Sequence, residues 1–372
     1  MENQTQYAFE FTYEQRCVVA MFFIVIAMLS IIGNSLVVLS VLISQKLWTA
    51  TNAFVLNLAF ADLVTGLTLP FNVMALLGME RYPGPSQLCT LAAWTMFTCV
   101  GCSLYTLASI AFNRLILITK AMWYGRIFTD RIIVAWVVML WALPLLQTAI
   151  PTLLGAGEIG YNSKYGVCAQ LDVSNAYDLT QAVGLYPVSL LLIVICYLRI
   201  YIYVRKHNAG VIKRDSENKS QTANDKDEEY TGPRKVHVSD SSHSVDGIAD
   251  ERSPNTGSTH SNIQTNISKR QVEITKNLFY VVSAFVICVT PYAICLLVEA
   301  SDPAMPYTAS LMLFNSCINP VIYATKHPYF KQVFRCIIKC RWHEVPKPSR
   351  FLKWWLSRSW CFPCKDVGRV SI

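Results

Sequence analysis

The sequence predicts an all-α membrane protein, a bundle of seven transmembrane helices with a short amphipathic helix after the seventh. Three observations predict it. Of 372 residues, 53% are hydrophobic and 15% charged, whereas a soluble globular chain carries about 25% charged residues. Apolar runs long enough to cross a bilayer, about 20 residues each, cover seven regions, near 17–43, 52–78, 88–115, 132–154, 177–204, 273–298 and 307–325. The charges are also unevenly placed. Glu2, Glu10 and Glu14 precede or open the first run with Arg16 as the one cation, while eleven cations from Lys326 to Arg369 follow the last. Positive segments stay cytoplasmic, so the amino end is expected outside and the carboxyl end inside, and seven crossings join those sides. The net charge of +8 then reads as membrane orientation. A nucleic-acid partner is not expected, because the cations line the inner face of apolar helices.

Residues 1–16 form the predicted extracellular amino terminus. Asn3-Gln4-Thr5 is a glycosylation acceptor there, whereas the triplets at Asn218 and Asn266 fall on the inner side. The run from Cys17 is too long for a signal core and lacks a small-residue cleavage pattern, so it reads as an anchor. Within the bundle, 17–325, most connections are short. The exception is 206–270, rich in Ser, Asn, Asp and Lys without apolar period, which is expected to be a disordered third cytoplasmic loop open to kinases.

Residues 326–372 form the predicted cytoplasmic amphipathic helix and tail. Tyr329, Phe330, Val333, Phe334 and Ile337 recur at helical spacing with Lys331, Arg335 and Lys339 between them, as in a basic helix lying on the inner leaflet lipid. Cys336 and Cys340, one turn apart, are candidate palmitoylation sites. Most of the 13 cysteines lie inside apolar runs, and Cys17, Cys89 and Cys168 fall near the oxidising side. A bridge between Cys89 and Cys168 would tie the outer loop after helix four to the top of helix three. Cys361 and Cys364 make half a zinc site with no second half nearby, so no zinc is expected.

Polar groups inside apolar helices each need an account. Asp62 lies mid-run in N-L-A-F-A-D-L-V, with Asn34, Ser103, Asn315, Ser316 and Asn319 at comparable depth. A carboxylate ringed by hydroxyls and amides offers hard oxygen ligands to Na⁺; a structural hydrogen-bond cluster around protonated Asp62 is the alternative. Pro70, Pro144, Pro151, Pro187, Pro291 and Pro320 mark bends, and Asn319 and Tyr323 could exchange partners between two states. In A-F-N-R-L, Asn113 and Arg114 sit where helix three meets the cytoplasm, so the guanidinium head can reach water or a protein.

Gly33-Asn34, Leu58 to Asp62, Cys89 followed 25 residues later by Arg114, Trp141, Phe285-x-x-Cys288-x-x-Pro291 and Asn319 to Tyr323 together resemble rhodopsin-like (class A) G-protein-coupled receptors, across all seven helices and the amphipathic one. The resemblance implies that Arg114 meets the carboxyl-terminal helix of a heterotrimeric G protein, with Met122 docking beside it and Tyr323 turning inward on activation. It implies an outer disulfide between Cys89 and Cys168, a sodium pocket at Asp62, an extracellular ligand, and arrestin and receptor kinases as further partners at the plasma membrane. Several positions depart from the pattern. Asn113 replaces the acid before the arginine, Leu115 the tyrosine after it, and Val289 the helix-six tryptophan. Pro187 stands ten residues before Tyr197 rather than eight, and Gln271 offers no acid at the inner end of helix six.

The ligand is narrowed by exclusion. Leu313 stands where a retinal protein needs lysine, and Met96 where amine receptors carry aspartate, so a charged monoamine would enter unpaired. The expected lining of Met96, Phe97, Val100, Val289, Tyr292, Leu296, Ala309 and Leu313, with Asn72 as a rare polar group, suits a neutral lipid-like or indole-like ligand. The alternative is a peptide held by the outer loops. The Asn-Arg pair and apolar pocket are similar to melatonin-type receptors and the moody and trapped-in-endoderm group. A seven-helix transporter would want internal repeats or broken helices, and an intramembrane enzyme a second acid or a histidine beside Asp62. Neither pattern is present in the sequence, so no catalytic residue is assigned.

Overall fold

The computed structural model describes residues 11–78, 81–155, 157–171, 186–206, 280, 282–296, 298 and 303–358. Helix α1 (Tyr13–Ile43) opens with a capping box in which Thr12 and Gln15 satisfy each other's backbone N–H groups. A 3-10 turn at Gln45–Leu47 leads to α2 (Ala50–Leu77), whose N-cap Thr49 accepts from the Asn52 N–H at 3.3 Å. Then follow α3 (Ser86–Thr119), the short α4 (Ala121–Ile127) and α5 (Asp130–Leu153). Strands β1 (Glu158–Asn162) and β2 (Val167–Leu171) pair antiparallel with Tyr161 opposite Cys168. Helices α6 (Tyr186–Lys206), α7 (Val282–Cys295) and α8 (Met305–Lys326) complete the bundle. Beyond it lie α9 (Pro328–Ile338) and α10 (Arg350–Arg358).

Among the described residues, α1, α2, α3, α5 and α6 are long and apolar enough to cross a membrane. The described part of α7 is apolar but shorter, and α8 is interrupted by Asn315, Ser316 and Asn319. Each expected apolar run coincides with a helix wherever it is described; residues 177–185 of the fifth lie outside the described set. So do Asn3, Asn218, Asn266, Gln271, Cys361, Cys364 and nearly all of the expected third loop.

The burial pattern shows why these helices need lipid. Helix α1 buries Val19, Phe23, Ile26 and Asn34, yet exposes Met21, Phe22, Val25, Met28, Leu29 and Ile32. An apolar helix with one face packed and the other bare is solvated by hydrocarbon. Helices α2 and α3 lie deepest and are buried over most of their length. Close approach of α1 to α8 requires glycine at position 33, where a Cβ would lie 2.9 Å from Cβ and Cγ of Pro320.

Two compact units are distinguished, Met1–Tyr197 with Ile274–Ile372, and Leu198–Glu273. Of the second, the described residues are the helical turns 198–206. Within the first unit, one apolar cluster joins Leu58, Leu107, Ile110, Phe285 and Tyr323 to Phe330 and Phe334 of α9. A second, at the hairpin end, holds Phe11, Phe23, Leu69, Leu76 and Leu313.

Residues 326–358, the described part of the expected amphipathic helix and tail, hold more than one helix. After α9 the chain turns back, Ser44 bridges to Pro348, and α10 follows. Nine helical residues between prolines and basic residues are too few for a periodic signal, and the docking partner at Ile43 to Leu47 lies some 300 positions away.

Candidate functional site

The polar core assembles from α1, α2, α3 and α8. Asp62 is buried on α2, with Oδ1 accepting from Ser103 Oγ and Ser316 Oγ, each at 3.0 Å, and Oδ2 from Asn319 Nδ2 at 2.9 Å. Asn34 is buried on α1 and donates to the carbonyls of Ser30 and Ser316, both at 3.0 Å, so it pins α8 to α1. Ser30, absent from the sequence-based set, donates to the Asp62 carbonyl at 2.8 Å. Asn315 is buried in the same region of α8. The side-chain oxygens of Asn34, Asn315 and Asn319 have no hydrogen-bond donor. One carboxylate with orphaned amide oxygens on neighbouring helices is a donor set that fits a hard monovalent cation.

A second interlock joins α2, α3 and α5. Trp141 donates to Asn57 Oδ1 at 2.9 Å, and Asn57 Nδ2 donates to Thr106 at 2.8 Å. Asn57 stands five residues before Asp62 in an apolar run, and that was the available signal for it.

At the α9 end, the structure corrects one expectation. Arg114 is 5% exposed rather than reaching water, because α3 runs on to Thr119 and neighbouring helices enclose it. Asn113 accepts from Thr51 Oγ1 at 2.6 Å and donates to the Tyr124 hydroxyl at 3.2 Å, tying α3 to α2 and α4. Beside this knot, Phe54, Phe112, Tyr124, Phe128 and Trp136 stack edge and face. Met122 on α4 is 90% exposed, with Trp123 next to it. Tyr323 is buried against Phe330, ring centroids 5.5 Å apart. Thr51 and Tyr124 were missed, since nothing in their local sequence marks them as partners of Asn113.

At the hairpin end, Cys89 and Cys168 are joined by a disulfide, which ties β2 to α3. Asn72, expected as the rare polar group of the ligand lining, also supports the hairpin backbone. Its Oδ1 accepts the Cys168 N–H at 2.9 Å, inside the structure at 1% exposure. Arg16 donates to the carbonyls of Phe11, Gly78 and Ser163 at 3.1, 3.3 and 3.0 Å, so one side chain holds the start of the described chain, the end of α2 and the hairpin turn. The expected lining residues reach three apolar clusters, with Val100 packed against two of them. Met96, Val100 and Leu313 pack with Phe11; Phe97 packs with Tyr82 and Cys168; Val289 belongs to the cluster nearer α9. Tyr292, Leu296 and Ala309 are half-buried. The hydroxyls of Tyr186 and Thr290 are hydrogen-bonded between α6 and α7. Phe11 was missed because it lies in a polar segment ahead of the first apolar run.

Asn72→Leu is expected to leave the buried Cys168 N–H without an acceptor, a loss of about 1–3 kcal/mol. Thermal unfolding of the purified protein should shift downward, and Asn72→Asp should retain the acceptor and shift it less.

Among the described residues, seven bundle helices, a carboxylate buried between α2, α3 and α8, and a disulfide-held hairpin define a seven-helix membrane architecture. The chain belongs to the 7 transmembrane receptor (rhodopsin family), whose pattern matches residues 33–323. Among its relatives are the alpha-1A adrenergic receptor of Oryzias latipes, 29% identical over 83% of this chain and 64% of that protein, and the alpha-1D adrenergic receptor of Homo sapiens, 26% identical over 87% and 56%. The chain thus spans about three fifths of the length of these relatives. Squid rhodopsin shares the fold, with a TM-score of 0.70 over 98% of this chain and 97% of that one, at 15% identity. The chain is therefore a member of a family of multi-pass membrane receptors. The finer resemblance to melatonin-type receptors and the moody and trapped-in-endoderm group finds no support among these relatives.

Proposed function

We propose that the protein is a plasma-membrane receptor, amino end outside and carboxyl end cytoplasmic, that binds a neutral lipid-like or indole-like ligand and catalyses nucleotide exchange on a heterotrimeric G protein. The observation that carries this reading is the enclosed Arg114. Its side chain is buried near the carboxyl end of α3, next to Asn113, whose bonds to Thr51 and Tyr124 join that end of α3 to α2 and α4 and can be exchanged between two packings. The exposed Met122 and Trp123 supply an apolar contact on the same side. Arrestin and receptor kinases share that inner surface in this reading.

The ligand class rests on the hairpin end. Met96, Val100 and Leu313 bring no charge, and the Asn72 oxygen is already occupied by the Cys168 N–H. An adrenergic-type ligand is disfavoured by Met96, where the amine receptors carry aspartate. A peptide at the outer loops is the second reading, favoured by the hairpin that Arg16 and the disulfide hold in place. Asp62, with Asn34, Ser103, Asn315, Ser316 and Asn319, would hold Na⁺, whose charge would offset the carboxylate and favour the resting packing.

Purified receptor mixed with G proteins of several families, screened with lipids, indoles and peptides for nucleotide exchange, tests the reading. Exchange driven by an apolar ligand supports it. Exchange by peptides alone replaces the ligand class, and silence throughout removes the receptor activity.

Acylation is proposed at Cys340 rather than at both candidate thiols. Cys340 is exposed, whereas Cys336 is buried, and burial followed by the nearby Glu344 carboxylate raises its thiol pKa. Cys340→Ser should abolish palmitate incorporation, and Cys336→Ser should leave most of it.

A further inference from the structure

Between α9 and the turn that follows it lies a cleft of about 590 Å³. One wall is the exposed face of α9, carrying Lys331, Arg335 and Lys339 at successive helical turns; the other carries Arg341 and Glu344. The turn that builds the second wall is well defined. Cys340 takes a positive φ of 54°, its N–H bonds the Ile337 carbonyl at 3.0 Å, and the Arg341 N–H bonds that of Cys336 at 2.8 Å. These are the two bonds of a Schellman motif, and they swing Arg341 back toward the basic face of α9. Arg341 is held there by Glu344 at 3.3 Å, in an exposed pair that an incoming anion can replace.

The chain then clamps onto the inner loop after α1. Ser44 Oγ donates to the Pro346 carbonyl at 2.6 Å, Gln45 N–H to that of Lys347 at 2.9 Å, and Ser349 N–H to that of Ile43 at 2.8 Å. Leu352 is buried, which fixes the rotation of α10 and turns Phe351, Trp354 and Trp355 outward at 52, 51 and 40% exposure. Trp342, between Arg341 and Glu344, meets Trp355 edge to face at 5.5 Å. The cleft and the aromatic ledge therefore share one turn. Arg358 lies over the Trp354 ring at 4.7 Å, and six lysines and arginines against one glutamate line residues 339–358.

We propose that the cleft and ledge form a binding site for an inner-leaflet phospholipid with a multiply phosphorylated headgroup. The phosphates sit among Lys331, Arg335, Lys339 and Arg341, and the ledge enters the headgroup–acyl boundary, where amphipathic aromatic rings partition. From Lys331 to Lys339 is about 12 Å of helix, longer than one phosphate bridges, so a headgroup with several phosphates matches the charge spacing better than one with a single phosphate. Clustered cations beside a membrane helix recognise such lipids.

The test uses the full chain in nanodiscs of phosphatidylcholine, titrated with a fluorescent phosphatidylinositol bisphosphate, with phosphatidylserine and with soluble inositol trisphosphate. The bisphosphate lipid should bind saturably and more tightly than phosphatidylserine. The pair Arg335→Gln and Lys339→Gln should weaken it at least about tenfold, while Arg335→Lys with Lys339→Arg restores it and shows the fold intact. Phe351→Ser with Trp354→Ser should weaken the lipid and leave the soluble headgroup unaffected. Equal binding by parent and Gln variants overturns the site. Soluble headgroup binding as tight as lipid, indifferent to the aromatic pair, overturns the lipid and leaves a soluble polyanion.

Discussion

Replacing Asp62 with asparagine should remove the Na⁺ sensitivity of the receptor. In the parent protein, basal nucleotide exchange and agonist affinity should differ between NaCl and KCl by about five- to tenfold or more, the usual size of coupling between two sites. Asp62 is the formal charge of the polar core, and its two oxygens collect Ser103, Ser316 and Asn319 from two other helices. The amide that replaces it keeps one acceptor and turns a donor toward hydroxyls and amides that were themselves donating. Cation binding is lost with the charge, and so is the advantage of the packing in which α2, α3 and α8 converge on it. Ser103→Ala should give an intermediate response, because it removes one bond and no charge. An equal response to Na⁺ in parent and Asp62→Asn would remove the cation from this site.

Asn113→Asp should lower ligand-free nucleotide exchange about fivefold. A charge-assisted hydrogen bond is roughly twice as strong as a neutral one, and an advantage of about 1 kcal/mol for the resting state reduces the active fraction by that factor. Asn113 meets Thr51 at 2.6 Å and Tyr124 at 3.2 Å, and the Tyr124 hydroxyl can also donate to it, at 3.5 Å. A carboxylate at this position accepts from both hydroxyls and places a negative charge beside Arg114. Thr51→Val should shift exchange the opposite way by removing the shortest bond of the knot. Measurement needs receptor, G protein and labelled nucleotide without ligand, so it stands apart from the question of ligand class. Unchanged or higher basal exchange in Asn113→Asp would mean that the knot does not restrain Arg114.

Much of the polar core was legible because lipid makes it so. A carboxylate or amide in an apolar run costs free energy unless a partner is present, so Asp62, Asn34, Asn315 and Asn319 stand out one by one. Their convergence follows because few other groups at that depth can satisfy them. Ser103 and Ser316 were legible only through their depth, which matches that of Asp62, and the Cys89–Cys168 bridge because few cysteines lie near the oxidising side. Thr51, Tyr124 and Ser30 were not. Hydroxyls can satisfy themselves on their own helix's carbonyls, as Ser40, Thr65 and Thr148 do, so their presence in a run announces nothing. The buried state of Arg114 was misread for a related reason, since a position near a helix end says where a side chain begins and not what encloses its head.

The sequence by itself determined the solvent, the number and order of the crossings, and the depth of the polar groups, because hydrocarbon penalises each misplaced residue independently of its neighbours. Only the tertiary structure decided which partner each group takes. Asn72 accepts from the hairpin backbone, Asn113 faces Thr51 and Tyr124, and the tail folds back on Ser44 to wall a basic cleft. Those outcomes depend on distances between residues far apart in the chain, and periodicity along one helix carries no record of them.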